Sequence, residues 1–69
     1  MDKNKLLYFI KDRGLSVKGF CEGIGISYSS FYKKLKASNF NLSEIRKISE
    51  FLNLTLEEIT SIFFADCVS

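Results

Sequence analysis

Apolar residues recur at intervals of three and four along most of the chain, which is the period of amphipathic helices. The clearest stripe consists of Val17, Phe20, Cys21 and Ile24. Residues 24–32 are rich in β-branched and aromatic side chains, as strands often are, but three serines interrupt strict alternation. The pattern therefore predicts an all-α fold of five short helices.

Capping residues predict where these helices begin and end. The first three helices are expected over about residues 3–13, 17–24 and 28–36, and the last two begin at capping boxes. The two capping boxes are Asn41 with Glu44 and Thr55 with Glu58. The other expected N-caps are Ser16 and Ser27. The residues expected to end helices are Gly14, Gly25 and Asn53.

The chain has 69 residues, 46% of them hydrophobic, and no proline, so it fits one small domain over residues 1–69. A domain of this size is too small for an elaborate enclosed active site, so we expect no enzymatic activity and no small-molecule substrate. Aromatic side chains supply most of the apolar burial in such a core. The phenylalanines expected in it are Phe9, Phe20, Phe31, Phe40, Phe51 and Phe63.

The residues that usually carry metal or catalytic chemistry are sparse. Histidine is absent, and Cys21 and Cys67 lack the spacing of zinc ligands. Glu57 and Glu58 are explained by a helix start, where carboxylates interact well with the helix dipole. We therefore expect reduced thiols, with Cys21 in the core, and neither a metal nor a cofactor.

The longest apolar runs cover residues 6–10 and 62–65, which are too short to span a bilayer. No cleavable signal pattern opens the chain. The sequence therefore favours a cytoplasmic protein without a membrane partner.

Charge is unevenly distributed although the net charge is only +2. Eight basic and three acidic residues precede Asn41, whereas two basic and five acidic residues follow from there. The first part therefore has a net charge of +5 and the second −3. This asymmetry indicates which part of the chain would face an anionic partner.

Residues 16–36 combine a short apolar-faced helix, a glycine turn and a second helix rich in hydroxyl and basic side chains. This order is typical of a helix-turn-helix motif, whose second helix enters the major groove of DNA. Gly25 accepts the positive φ that such a turn requires. Phe20 can then meet Phe31 across the turn, which leaves the opposite face of the second helix exposed.

The exposed face of the second motif helix carries the candidates for base readout, which are Tyr28, Ser29, Tyr32 and Lys33. Lysine can donate to guanine, and the tyrosines can form hydrogen bonds or contact thymine methyls. Two alternatives stay open: the rings pack on Phe31 or Leu35, or the lysines form an ordinary solvated face. Phosphate contacts are expected at the two flanks of the motif, from Ser16, Lys18, Lys36, Ser38 and Asn39.

Residues 6–64 resemble the lambda repressor and Cro-like helix-turn-helix family, the XRE family of phage and bacterial regulators. The resemblance is carried by Leu15-Ser16, Phe20-Cys21, Ile24-Gly25-Ile26-Ser27, Phe31 with Leu35, and residues 42–54. It implies a five-helix Cro/C1-type domain that binds double-stranded DNA, usually as a homodimer on a palindromic operator. Compact phage members look most similar, which implies a repressor in a phage or prophage circuit that joins the bacterial nucleoid when bound.

The sequence departs from the family pattern in the first motif helix. Val17 stands where the family usually has a glutamine that contacts phosphate, and Cys21 replaces a small alanine. Gly19 and Gly23 replace good helix formers. The valine therefore weakens one expected backbone contact, and the glycines reduce the helix's own stability.

Two further expectations concern protein partners. Phe64, Ala65 and Val68 lie at or beyond the end of the last helix and are candidates for a dimer contact, although a frayed tail would explain them too. The alternative function is an antirepressor-like module that binds another phage regulator. The Val17 departure and the modest net charge favour that alternative.

Overall fold

The helices lie where the apolar period places them. A computed structural model describes residues 1–65, which form five α-helices and no strand: α1 (Lys3–Asp12), α2 (Val17–Ile24), α3 (Tyr28–Ala37), α4 (Leu42–Leu52) and α5 (Leu56–Phe63). The all-α class is confirmed. The ends of α1 and α3 lie one residue from the expected positions.

Every described helix begins at a side-chain cap that accepts a hydrogen bond from the backbone N–H three residues further on. Ser16 and Ser27 cap α2 and α3, as expected. Asn41 and Thr55 form the two expected capping boxes at α4 and α5. Asp2 caps α1, and the sequence pattern did not single it out.

Left-handed residues lie within two residues of the end of four of the five described helices: Gly14, Gly25, Ser38 and Asn53. At the end of α2, Gly25 has a φ of 76°, and the N–H of Ile26 donates to the carbonyl of Cys21 at 3.0 Å. This bond satisfies a carbonyl that the helix leaves without a partner. It also turns the chain sharply into α3.

A single core collects side chains from all five helices. α2 is central, because it packs against α1, α3 and α4, while α1 also contacts α5. The buried apolar residues are Leu6, Ile10, Phe20, Cys21, Phe31, Leu35, Ile48, Leu52, Ile62 and Phe63. Cys21 therefore lies in the core as expected, and burial raises the pKa of its thiol.

The expectation that Phe51 belongs to the buried core is wrong, because its side chain is 43% exposed. Its ring lies on the outside of α2, edge-on to Phe20 with centroids 5.8 Å apart. A Cβ at Gly23 would stand only 2.3 Å from the Phe51 Cζ. The glycine that weakens α2 is therefore the residue that lets this ring approach the helix.

Arg13 joins the end of α1 to α4 and α5. Its Nε donates to the carbonyl of Leu52 at 2.9 Å, and its guanidinium lies 2.9 Å from Asp12 and 3.9 Å from Glu58. The same group lies over the ring of Phe9, 5.5 Å from its centroid. Arg13 therefore acts within the fold, and its charge is matched there.

We predict that Gly23→Ala and Phe51→Ala are energetically coupled. With Phe51 removed, Gly23→Ala should raise the free energy of unfolding by about 0.5–1 kcal/mol, because alanine favours helix. With Phe51 present, the new methyl group collides with the ring, so this gain should shrink or reverse. Denaturant unfolding of the four variants measures the coupling.

Gly19→Ala serves as the control, because a Cβ there meets only the Ser16 Oγ, at 3.2 Å, and not the Phe51 ring. Its effect on unfolding should be the same with and without Phe51. An equal gain from Gly23→Ala in both backgrounds would contradict the role given to Gly23.

Candidate nucleic-acid interface

The α2–turn–α3 unit has the geometry expected for residues 16–36. Phe20 and Phe31 are fully buried and meet edge to face, with ring centroids 5.6 Å apart. The Gly25 turn and the Ser27 cap fix the direction in which α3 leaves. One side of α3, with Phe31 and Leu35, is thereby held against the core, and the other side faces outward.

The outward side of α3 carries the four candidates for base readout, all of them exposed: Tyr28, Ser29, Tyr32 and Lys33. Within residues 1–65, no ion pair or hydrogen bond holds the Lys33 ammonium. Its flexible stem and three donors are therefore available to a partner. The structure brings all four candidates onto one surface.

Tyr28 and Tyr32 form a contacting pair on this surface. Their ring centroids are 4.9 Å apart with an interplanar angle of 54°. Tyr32 also meets Phe31 edge-on at 5.6 Å, and it is 37% exposed, whereas Tyr28 is 51% exposed. Tyr32 thus rests partly on the core, as one alternative had it, yet both rings keep exposed surface.

Interaction with the Tyr28 side chain, and then partial burial, raises the pKa of the Tyr32 phenol above its ordinary value. Because that ordinary value is about 10, Tyr32 keeps its proton at neutral pH. Its hydroxyl therefore presents both a donor and an acceptor. No negative charge from Tyr32 opposes a polyanion at this surface.

The candidates for phosphate contacts lie at both ends of the motif, and all are exposed: Ser16, Lys18, Lys36, Ser38 and Asn39. The Ser16 Oγ accepts the N–H of Gly19 at 3.0 Å, which leaves its hydroxyl proton able to donate. At the far end, the Nζ of Lys3 donates to the carbonyl of Lys36 at 3.0 Å. Lys3 therefore adds a cation at the C-terminal end of α3, which the sequence pattern did not reveal.

The three lysines of α3 have different environments. Lys34 forms an ion pair and hydrogen bond with Glu44, the N3 residue of α4, so it links α3 to α4. Lys33 and Lys36 are exposed on the outward side. Only these two of the three lysines are therefore placed for a partner.

A groove runs between the end of α1, the start of α2 and the outward side of α3, and we name it the α1–α3 groove. It has a volume of about 710 Å³ and is lined by Lys11, Leu15, Ser16, Val17, Lys18, Tyr28 and Tyr32. Four of these residues were expected at the interface, namely Ser16, Lys18, Tyr28 and Tyr32. Lys11 was not, because it lies outside the motif and only the packing of α1 beside α2 brings it there.

Comparison with known families agrees with this geometry. The family model for the Cro/C1-type HTH DNA-binding domain matches residues 5–64, which is most of the chain. The chain belongs to this family. The Cro/C1-type assignment confirms the resemblance found in the sequence and the DNA-binding regulator class that it implies. No curated protein and no solved structure matches the sequence.

The candidates for a dimer contact in this Cro/C1-type domain are only partly described. Phe64 follows α5 directly and is 38% exposed, and Ala65 is partly buried. Val68 lies outside the described residues. Larger apolar exposure occurs at Leu42 and Leu56, the first residues of α4 and α5, which are 77% and 79% exposed.

Residues 1–65 contain no group of three or more histidine, cysteine or acidic residues that could hold a metal ion. No helix in that part of the chain has the length and apolarity needed to cross a membrane.

We predict that Tyr32 titrates above the ordinary tyrosine pKa and that Tyr28→Phe lowers its pKa towards that value, because the neighbouring Tyr28 hydroxyl is lost. The raised pKa makes a stabilising contribution that is complete below the ordinary value and is lost as pH rises through the folded value. Ultraviolet difference titration measures the pKa of the Tyr32 phenol, with Tyr32→Phe as the reference that lacks it. An unchanged Tyr32 pKa in Tyr28→Phe would contradict the contact.

Proposed function

We propose that the protein is a sequence-specific transcriptional repressor of the phage or prophage Cro type, which binds a palindromic operator as a homodimer. The observation that carries this proposal is the outward side of α3, where four side chains suited to base contacts are exposed together. The fold holds this side away from the core through Phe31 and Leu35. In a helix-turn-helix protein such a surface enters the major groove.

Each readout candidate has a defined role in this proposal. Lys33 donates to the O6 and N7 of guanine, and Ser29 contacts a base or a phosphate. Tyr28 and Tyr32 use their hydroxyls for hydrogen bonds and their exposed ring edges against thymine methyls. The contact between the two rings restricts their motion, so less conformational entropy is lost on binding.

Contacts to the DNA backbone set the position of α3. Ser16 and Lys18 lie at the start of α2, and Lys36, Ser38 and Asn39 lie at the end of α3. These two groups flank the readout surface along the motif. Phosphate contacts on both sides would fix the register of α3 without specifying sequence.

The proposed dimer follows from the symmetry of a palindromic site. Two recognition helices must reach half-sites roughly 34–36 Å apart, one turn of B-DNA. The described domain measures 33 × 23 × 20 Å, so two copies that adjoin along the longest axis would have centres close to this spacing. Phe64 and Ala65, with Val68 beyond the described part, remain the proposed contact.

The second candidate function is an antirepressor-like module that binds another regulator. Val17 begins α2 with an apolar side chain where a phosphate contact would be useful, and Leu42 and Leu56 expose apolar surface at the starts of α4 and α5. On this account affinity for DNA is weak or absent.

A salt series separates the two functions. We expect the affinity for duplex DNA to fall steeply with salt, with a log–log slope of about −0.9 for each phosphate neutralised. Fluorescence anisotropy with mixed-sequence duplexes measures this slope. If the protein binds no duplex even at low salt, the repressor function is wrong and the antirepressor-like function is favoured.

We predict that Lys33→Ala weakens binding to the preferred duplex by about 1–3 kcal/mol, because a base contact is lost. It should also relax the preference for particular bases at one or two positions of the site. Lys47→Ala, on the outside of α4, removes the same charge and should leave base preference unchanged. Competition binding against single-base variants of the duplex measures both effects. Equal weakening of every sequence by Lys33→Ala would make Lys33 a phosphate contact instead.

A further inference from the structure

The α1–α3 groove has cationic edges and an apolar floor. Lys11 and Lys18 are exposed at its edges, and Leu15 and Val17 are partly buried along its floor. A strand of DNA has a matching alternation, because anionic phosphates are separated by deoxyribose rings with apolar faces. Neither a purely polar nor a purely apolar partner fits both features.

The position of the groove also fits a DNA strand. Tyr28 and Tyr32 belong both to the readout side of α3 and to the wall of the groove. A helix lying in the major groove is bordered on each side by a sugar–phosphate strand. With α3 in the major groove, the strand that borders its first turns would pass along the α1–α3 groove.

We propose that this groove holds one DNA strand and that Lys11 of α1 contacts a phosphate of that strand. The inference rests on the proposed binding of α3 in the major groove and extends the interface beyond the helix-turn-helix motif. It also gives Val17 a role, since a valine on the groove floor packs against deoxyribose instead of donating to phosphate.

The environment of Lys11 supports this assignment. Among residues 1–65, no ion pair or side-chain hydrogen bond holds its ammonium, whereas Arg13 and Lys34 are tied within the fold and Lys3 donates to a backbone carbonyl. Lys11 lies in the last turn of α1, where a cation also interacts well with the helix dipole. That second effect concerns stability alone and predicts no change in DNA binding.

The test compares the salt dependence of DNA binding by Lys11→Gln and Lys47→Gln. Both variants lower the net charge by one, so a general effect of charge affects them equally. We expect Lys11→Gln to bind several-fold more weakly at low salt, with a log–log slope shallower by about 0.9 than that of Lys47→Gln. Base preference should stay unchanged, and Lys11→Arg should restore the slope.

A second measurement places the contact on the DNA. Neutral methylphosphonates replace single phosphates along one strand of the duplex. At one position, this replacement should lower the affinity of the native protein for the duplex several-fold and leave the affinity of Lys11→Gln almost unchanged. Thermal unfolding of each variant shows that the folded state is intact under the binding conditions.

The outcomes distinguish this inference from the proposed function. If the native protein binds no duplex, the proposed function fails and the inference fails with it. If the native protein binds DNA but Lys11→Gln matches Lys47→Gln in slope and affinity, only the Lys11 contact is wrong. Loss of base preference in Lys11→Gln would also overturn it, because a phosphate contact carries no sequence information.

Discussion

The contact between Phe20 and Phe31 determines how the rest of the molecule is arranged. The two rings are fully buried on either side of the Gly25 turn and meet edge to face at 5.6 Å. Phe51 adds a contact to Phe20 at 5.8 Å, and Phe40 adds one to Phe31 at 5.9 Å. These contacts hold α3 against the core by one side, so its opposite side is exposed with a fixed direction. Aromatic pairs of this kind contribute about 0.5–1.5 kcal/mol beyond their area burial.

The structure divides the basic residues by what they contact. Arg13 and Lys34 are engaged with carboxylates of other helices, and Arg46 pairs with Glu50 along the exposed side of α4. Three lysines are exposed near the proposed readout surface, in the part of the chain whose net charge is +5: Lys11, Lys18 and Lys33. The small total charge therefore conceals a basic surface around α3, where attraction to DNA is useful.

Local signals in the sequence are sufficient to predict the helices and the helix-turn-helix motif. Ser27 and Gly25 act through backbone groups only a few residues away, so their roles can be predicted from the neighbouring sequence. The relation between Gly23 and Phe51 joins residues far apart in the chain, and only the packing of α4 on α2 reveals it. The place of Lys11 in the groove likewise depends on how α1 lies beside α2. The exposure of one side of α3 was predictable from the sequence, whereas the place of α1 beside it was not.

The outward side of α3 is proposed to read a symmetric DNA site, and selection from a random pool of duplexes tests this proposal. We expect the protein to enrich one sequence with two inverted half-sites, whose centres are about one helical turn apart. Enrichment of no sequence, with the native protein folded throughout the selection, would contradict it.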